Sequence, residues 1–448
     1  MESLEKPTKS KFMLYGMPRL STSIVLMIID FVILNLYIEV YAIPGILGGI
    51  ATMTGKLSIA ASQFLIGWLS DKTKTKYGRR KPYMFLWAPV VMFSFIFALL
   101  PTVFMENPGV MSIFIWILIW DAAFQFSYGA LTTPYQSWVA EQFEVQDRSQ
   151  ASAFQNLFGF LGTGIGVVFT FLVIPPFIDN FIATRTIDLS FTLILVLIGA
   201  LVVVLYYICA FILPVEKIEG AQMHFIEDVK EIIKDTNFMR VCLLQGIAFL
   251  AWGMVTPTLF GFVTDVLNFS GTNLYIAAGV LFLSVITFLF TWKKLIDIKG
   301  KKTTISIIFL AAVVILPFSL IVLLPGEIPF LIAILYILGV AACLGGWYLF
   351  PYIWYADLAE DAERRSGSTG RKAGLYAGFP NILLNIFQAI ALLITGPLLA
   401  DTPLIEGKTY TWGYALWGVW CSAVLLVGYI YIKKYIQLDF DWEKEPRT

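Results

Sequence analysis

The sequence predicts an all-α membrane protein with twelve transmembrane helices in two six-helix bundles. Three observations carry that prediction. Of 448 residues, 58% are hydrophobic and only 14% charged, where an ordinary soluble domain carries about 25% charge. A bilayer core about 30 Å thick needs about 20 apolar residues per helix, and twelve such runs can be read along the chain. Their limits are 20–42, 46–70, 83–104, 110–140, 151–175, 189–213, 239–264, 270–292, 303–325, 329–358, 373–399 and 411–433. Finally, the basic residues gather in alternate gaps between the runs.

The first run follows a polar segment, MESLEKPTKSK, which lacks the apolar stretch of a signal peptide. That segment and the start of the run hold Lys6, Lys9, Lys11 and Arg19; the gap after the second run holds Lys72, Lys74, Lys76, Arg79, Arg80 and Lys81. Arg148 lies between the fourth and fifth runs, and Lys217, Lys230, Lys234 and Arg240 between the sixth and seventh. The eighth gap holds Lys293, Lys294, Lys299, Lys301 and Lys302, and the tenth Arg364, Arg365, Arg371 and Lys372. All but Arg185, Lys408 and Lys56 of the 31 basic residues therefore fall on one side. Excess Lys and Arg mark the cytoplasmic face, so both termini are expected inside a cell membrane.

The longest polar gap divides the chain. Residues 1–213 form the first bundle, 214–238 a cytoplasmic linker with a short amphipathic helix from Phe225 to Ile233, and 239–448 the second bundle with a short tail. The inner loops of the two halves echo each other. GWLSDKTKTKYGRRKP (Gly67–Pro82) and WKKLIDIKGKKTT (Trp292–Thr304) each place an Asp, a Gly and a basic cluster after the second helix of a half. Six plus six spans with repeated inner loops is the layout of a two-bundle secondary transporter, with substrate held near the midplane.

Other classes are disfavoured. Net charge is zero, without the basic footprint that nucleic acid requires. The single histidine, His224, and four cysteines set singly in apolar runs (Cys209, Cys242, Cys343, Cys421) give neither a metal-ligand set nor a disulfide framework. A non-enzymatic monomer without a cofactor is expected, with the lipid bilayer and a small molecule as its partners.

A charge at the centre of a transmembrane helix costs about 2.5–3.5 kcal/mol on insertion scales. Asp30, Lys56 and Asp121 all lie about 12–18 Å from a membrane edge at 1.5 Å per residue. Lys56 is expected to pair with Asp30 or Asp121, and the spare carboxylate to serve as a proton or sodium coupling site. A static ion pair that only fixes helix packing is the competing expectation. Glu39 reads as a solvated rim residue.

On the fourth helix Asp121, Gln125, Tyr128, Thr132, Tyr135 and Gln136 recur at helical spacing. Such a stripe cannot face hydrocarbon, where unsatisfied polar groups cost several kcal/mol each. The eleventh helix repeats it with Asn381, Asn385 and Gln388, the seventh with Gln245, Trp252 and Thr256, and the tenth with Trp347, Tyr348, Tyr352 and Tyr355. Hydroxyls, amides and flat aromatic faces suit a neutral polyhydroxylated ligand. No Arg falls among them, which disfavours a strongly anionic substrate, although Lys56 could hold one acid group.

Three stretches carry a resemblance: KYGRRKPYMF (Lys76–Phe85), TPYQSWVAEQFEVQDRSQASAFQN (Thr133–Asn156) and WYADLAEDAERRSGSTGRKAGLYAGFPN (Trp354–Asn381). With Gly67, Ser70 and Asp71 before Gly78-Arg79-Arg80, the first resembles the second-to-third-loop signature of the major facilitator superfamily. Together the three are similar to glycoside–pentoside–hexuronide:cation symporters, the melibiose-permease group. The resemblance implies the major facilitator fold and ion-coupled sugar transport. The chain departs from the group at its named polar positions. The second-helix Asp pair falls at Ile59 and Gln63, and the acidic sugar-binding positions of the fourth and first helices fall at Thr132 and near Ser23. The eleventh-helix lysine falls near Leu384 or Asn385. Sodium coupling and galactoside specificity therefore do not carry over, and Gln63 joins Asp30, Lys56 and Asp121 as a coupling candidate.

Asp71, Arg79, Arg80, Glu141, Asp147, Arg148, Asp357, Glu360, Asp361, Glu363, Arg364, Arg365 and Arg371 crowd the inner ends of the helices. In the resembling family such groups bridge the two bundles when the cytoplasmic side is closed, so they are expected to form an inner gate. Besides a sugar symporter, a carrier of lysolipids or other amphiphiles and a proton-coupled exporter fit the same layout.

Overall fold

Backbone that crosses a bilayer must satisfy its own hydrogen bonds, and helices do so within one segment. The computed structural model describes residues 8–100, 105, 108–143, 145–184, 186–215, 230, 232–326, 328–366 and 379–440. Of Asp71, Arg148, Tyr352 and Glu363 it describes the backbone alone. The first six long helices are α1 (Lys9–Val40), α2 (Gly45–Lys72), α3 (Lys81–Leu99), α4 (Val110–Ser137), α5 (Val145–Thr184) and α6 (Leu189–Ile212). The second six are α7 (Thr236–Val266), α8 (Gly271–Lys299), α9 (Lys301–Leu323), α10 (Phe330–Ser366), α11 (Pro380–Ala400) and α12 (Trp412–Tyr435).

Among the described residues eleven helices are long and apolar enough to cross a membrane. The remaining one, α2, has 28 residues, but Thr52, Thr54, Lys56, Ser58, Ser62 and Gln63 lower its hydropathy. Helix α1 starts a full three turns before the apolar run read from sequence. Thr8 caps it, its hydroxyl accepting from the Lys11 amide at 3.4 Å, so Arg19 lies well inside the helix. Of the amphipathic linker helix expected from Phe225 to Ile233, residues 225–229 and 231 lie outside the described residues; Ile232–Lys234 is helical.

The chain divides into two compact units, Met1–Gly220 and Ala221–Thr448. Each follows the same packing plan. In the first, α1 packs on α5 and α6, α2 on α4, and α3 on α4 and α6. In the second, α7 packs on α11 and α12, α8 on α10, and α9 on α10 and α12. The first helix of each unit also ends alike. Leu36–Val40 and Phe262–Val266 widen into a π turn. Ala42 and Asn268 then take the same left-handed backbone, both at φ 52°. The amides of Ile43 and Phe269 close these turns onto the carbonyls of Tyr37 and Val263.

Close helix approach sets the first unit's seams. A Cβ at Gly162 of α5 would collide with the Leu20 carbonyl of α1; small residues at such crossings let backbones meet. In the second unit the tail beyond α12 is extended and tied down. Ile436, Leu438 and Phe440 are buried, Asn237 and Gln437 exchange hydrogen bonds at 3.0 and 3.2 Å, and Asp439 accepts from the Lys301 amide at 2.7 Å.

Candidate substrate and coupling site

Helices α2 and α4 come unusually close because each offers a glycine to the other. A Cβ at Gly55 would fall inside contact of the Asp121 carboxylate, and one at Gly129 inside contact of the Ser62 hydroxyl. This crossing sets Lys56 beside Asp121 and turns its ammonium toward α1. There Lys56 Nζ meets Asp30 Oδ1 at 2.7 Å. The expected pairing is thus made with Asp30. Lys56 and Asp121 are buried, at 4% and 1% exposure, while Asp30 is half-buried. Counted from Val40, Gly45 and Val110, the three groups lie about 15–17 Å from the same end of their helices.

Asp121 has Gln125 as a side-chain hydrogen-bond neighbour, yet one of its oxygens is left bare. Its Oδ1 and the Oε1 of Gln125, one turn on, are buried without a hydrogen bond. Lys56, Asp30 and the Gln125 side chain are its electrostatic neighbours, and Tyr37 of α1 lies within the same range. Gln63, one of the coupling candidates, is half-buried two turns below Lys56 on α2.

Below Asp121 the fourth-helix stripe is real but unevenly available. Gln125, Tyr128, Thr132 and Tyr135 are buried, whereas Gln136 is exposed. Thr132 donates to its own helix at the Tyr128 carbonyl, 2.8 Å away. Tyr135 donates to the Tyr15 carbonyl, and Tyr15 returns the bond to the Tyr135 carbonyl at 2.9 Å. These two residues act as helix–helix ties.

Tyr128 differs. Arg19 of α1 donates to its hydroxyl, with Nη1 at 3.3 Å, and the Arg19 stem passes Gly159 of α5, where a Cβ would stand 3.2 Å from its Cγ. Arg19, which the sequence groups with the basic residues of the N-terminal side, lies within helix α1 and turns its guanidinium to α4. The helix that begins at Lys9 is what brings it opposite Tyr128.

In the second unit, Trp252 of α7 and Trp347 of α10 are buried with indole N–H groups that meet no acceptor, and Gln245 Oε1 is equally bare. Trp347 packs edge-on against Phe249 (5.6 Å), Phe309 (6.0 Å) and Trp354 (5.8 Å). Gln388 of α11 lies against Gly253, next to Trp252. Tyr355 is buried against Phe238, Tyr348 and Asn381 are half-buried, and Asn385 is buried. The Tyr352 side chain lies outside the described residues.

The helix ends are ionic. Glu141 receives Arg79 at 2.7 Å and Arg80 at 3.0 Å, and Arg80 also donates to Ser70 at 2.6 Å. These contacts join the ends of α2, α3 and α4. The second unit repeats the device, with Lys301 at the start of α9 pairing with Asp357 of α10 at 2.7 Å. Arg364 pairs with Glu360 one turn away, and Arg365 with both Asp361 and Asp235. The side chains of Asp71 and Arg148, and all of Arg371, lie outside the described residues. Among the described residues no group of three His, Cys, Asp or Glu side chains comes together as a metal site.

Two six-helix units of identical packing plan, the first with charges midway along its helices, are the layout of a secondary transporter of the major facilitator fold. Solved carriers share that fold. A D-xylose–proton symporter matches with a TM-score of 0.64 at 13% identity, covering 96% of each chain. The nucleoside transporter NupG matches at 0.63 and 14% identity, over 96% of this chain and 100% of that one. A bacterial homologue of the lysosomal transporter Spinster matches at 0.64 and 13% identity, over 96% and 97%. In sequence, an uncharacterized symporter of Synechocystis sp. is 26% identical over 174 residues, which is 38% of this chain and 32% of that relative. Residues 14–409 match the family described as MFS/sugar transport protein. The chain belongs to that family: it is a multi-pass membrane carrier of small molecules and not an enzyme.

Proposed function

We propose that this carrier moves a sugar or glycoside across the cell membrane by ion-coupled symport and alternating access, as a monomer with both termini cytoplasmic. The observation that carries the reading is the Arg19–Tyr128 contact below Gln125 on the polar face of α4. A guanidinium and a phenol at one place offer several directional bonds to hydroxyls, and the guanidinium can also hold a carboxylate as a fork. The substrate is therefore a polyhydroxylated molecule that is neutral or carries one acid group. Within the second unit, Trp252 has a bare N–H and a flat face, chemistry that also suits a sugar. The pairs at Glu141 and Asp357 are the gate-side charges of the mechanism; partly solvated pairs contribute small increments, suited to states separated by a few kcal/mol.

A thermal-shift panel on the purified protein tests this. Neutral sugars, glycosides, uronic acids, nucleosides and lysophospholipids are added at two pH values, followed by uptake into proteoliposomes of whatever stabilises. A saccharide is expected to stabilise the wild type, and Arg19→Gln is expected to lose that effect. Stabilisation by lysophospholipid alone overturns the sugar reading in favour of an amphiphile carrier. Efflux from loaded vesicles against an imposed proton gradient, without uptake, overturns import.

A further inference from the structure

We propose that Asp121 is the proton-carrying site of this carrier and that Lys56, paired with Asp30 and an electrostatic neighbour of Asp121, is its built-in counter-cation. The site then takes a proton and has no use for sodium. The inference rests on the reading of the chain as an ion-coupled carrier and names the group that couples.

Three ionisable side chains from three helices meet at one depth, one cation to two carboxylates. Fully charged, they hold one excess negative charge in a buried place, which is costly to leave uncompensated. Either a metal cation or a proton could cancel it. A metal cation needs several oxygen ligands and room for them. Here the ammonium of Lys56 already holds Asp30 Oδ1 at 2.7 Å and repels a second cation. On the other side the carboxylate of Asp121 is pressed against Gly55, where even a methyl group has no space. A proton needs neither ligands nor volume. It also answers the hydrogen bonding: Asp121 Oδ1 and Gln125 Oε1 are two buried acceptors without a donor, and a carboxylic O–H adds one.

The other groups facing Asp121 fit this assignment. Helix α1 brings Asp30 and Tyr37, α2 brings Lys56, and α4 brings the uncharged Gln125. Helix α3, also packed on α4, carries its titratable side chains, Lys81 and Tyr83, only in its first turn. Protonation of Asp121 leaves Lys56 with Asp30 alone; deprotonation gives the ammonium two carboxylates to bridge. The proton thus sets whether α1 and α4 are both drawn to α2.

The test needs no knowledge of the substrate. Infrared difference spectra of the full-length protein in detergent, acid minus neutral, read the carboxylic C=O band of buried acids. The band is expected in the wild type and in Asp30→Asn, and lost in Asp121→Asn. In Asp121→Glu, which retains an acid, it is expected to persist at a shifted frequency. Thermal unfolding of the wild type is expected to be the same in sodium chloride and in choline chloride. Identical spectra for wild type and Asp121→Asn overturn the proposal. So does sodium-specific stabilisation of the wild type that Asp121→Asn abolishes, since that marks a sodium site. Either result leaves the saccharide reading standing, because the ligand panel decides that separately.

Discussion

Removing the ammonium of Lys56 is the most informative single perturbation of the fold. At 2.7 Å from Asp30, the pair has a gross Coulomb attraction of about 6 kcal/mol at an effective dielectric of about 20. Much of this is cancelled by desolvation. What remains measurable is the cost of stranding a charge, about 3–5 kcal/mol for a buried pair that loses one partner. Lys56→Met strands two carboxylates, Asp30 and Asp121, and is expected to cost that amount at neutral pH. Asp30→Asn is expected to cost clearly less, because Asp121 remains to hold the ammonium. The double variant Lys56→Met/Asp30→Asn is expected to be more stable than Lys56→Met alone, since only one carboxylate is then stranded. Equilibrium unfolding in mixed micelles, followed by tryptophan fluorescence, supplies the double-mutant cycle. If Lys56→Met costs no more than Lys74→Met, which alters an exposed loop residue, the three-charge arrangement is refuted.

Three further outcomes follow from the packing. Tyr135→Phe removes one of the two reciprocal bonds to Tyr15 while keeping the ring, and is expected to cost about 0.6–1.5 kcal/mol in the same unfolding assay. Glu141→Gln leaves two guanidinium groups without their carboxylate, so it should destabilise the protein more than Arg79→Gln, which leaves Arg80 in place; equal costs would argue against a shared acid. Gly162→Val drives a side chain into the Leu20 carbonyl and is expected to cost about 1–3 kcal/mol as an overpacked seam, with disulfide trapping between α1 and α5 weakened in parallel.

Much of this architecture was legible because the bilayer penalises exceptions. Asp30, Lys56 and Asp121 stood out as charges in apolar runs, and the depth count alone brought them together. The α4 stripe was equally visible, yet its spacing could not separate Tyr128, which meets Arg19, from Thr132 and Tyr135, which bond to backbone. Periodicity gives the face a residue lies on, not the partner its hydroxyl chooses. The partner of Arg19 was not legible, because a basic residue near the end of an apolar run reads equally well as loop, and only the early helix start places it opposite Tyr128. The notch at Gly55 was illegible, since a glycine's value depends on what stands opposite. The matching π turns at Leu36–Val40 and Phe262–Val266 left no trace in the loop motifs that revealed the repeat.

The extended segment after α12 reaches further than its length suggests. Through Gln437 it holds the first turn of α7, through Asp439 the turn between α8 and α9, and Lys301 beside that turn holds α10. Four helices of the second unit and α12 itself are thereby moored to one ribbon at a single end. At the opposite end of the unit α7 widens into its π turn before Asn268. Clipping the ribbon removes the ties at Asn237 and Lys301 together and is expected to lower the stability of this end of the unit.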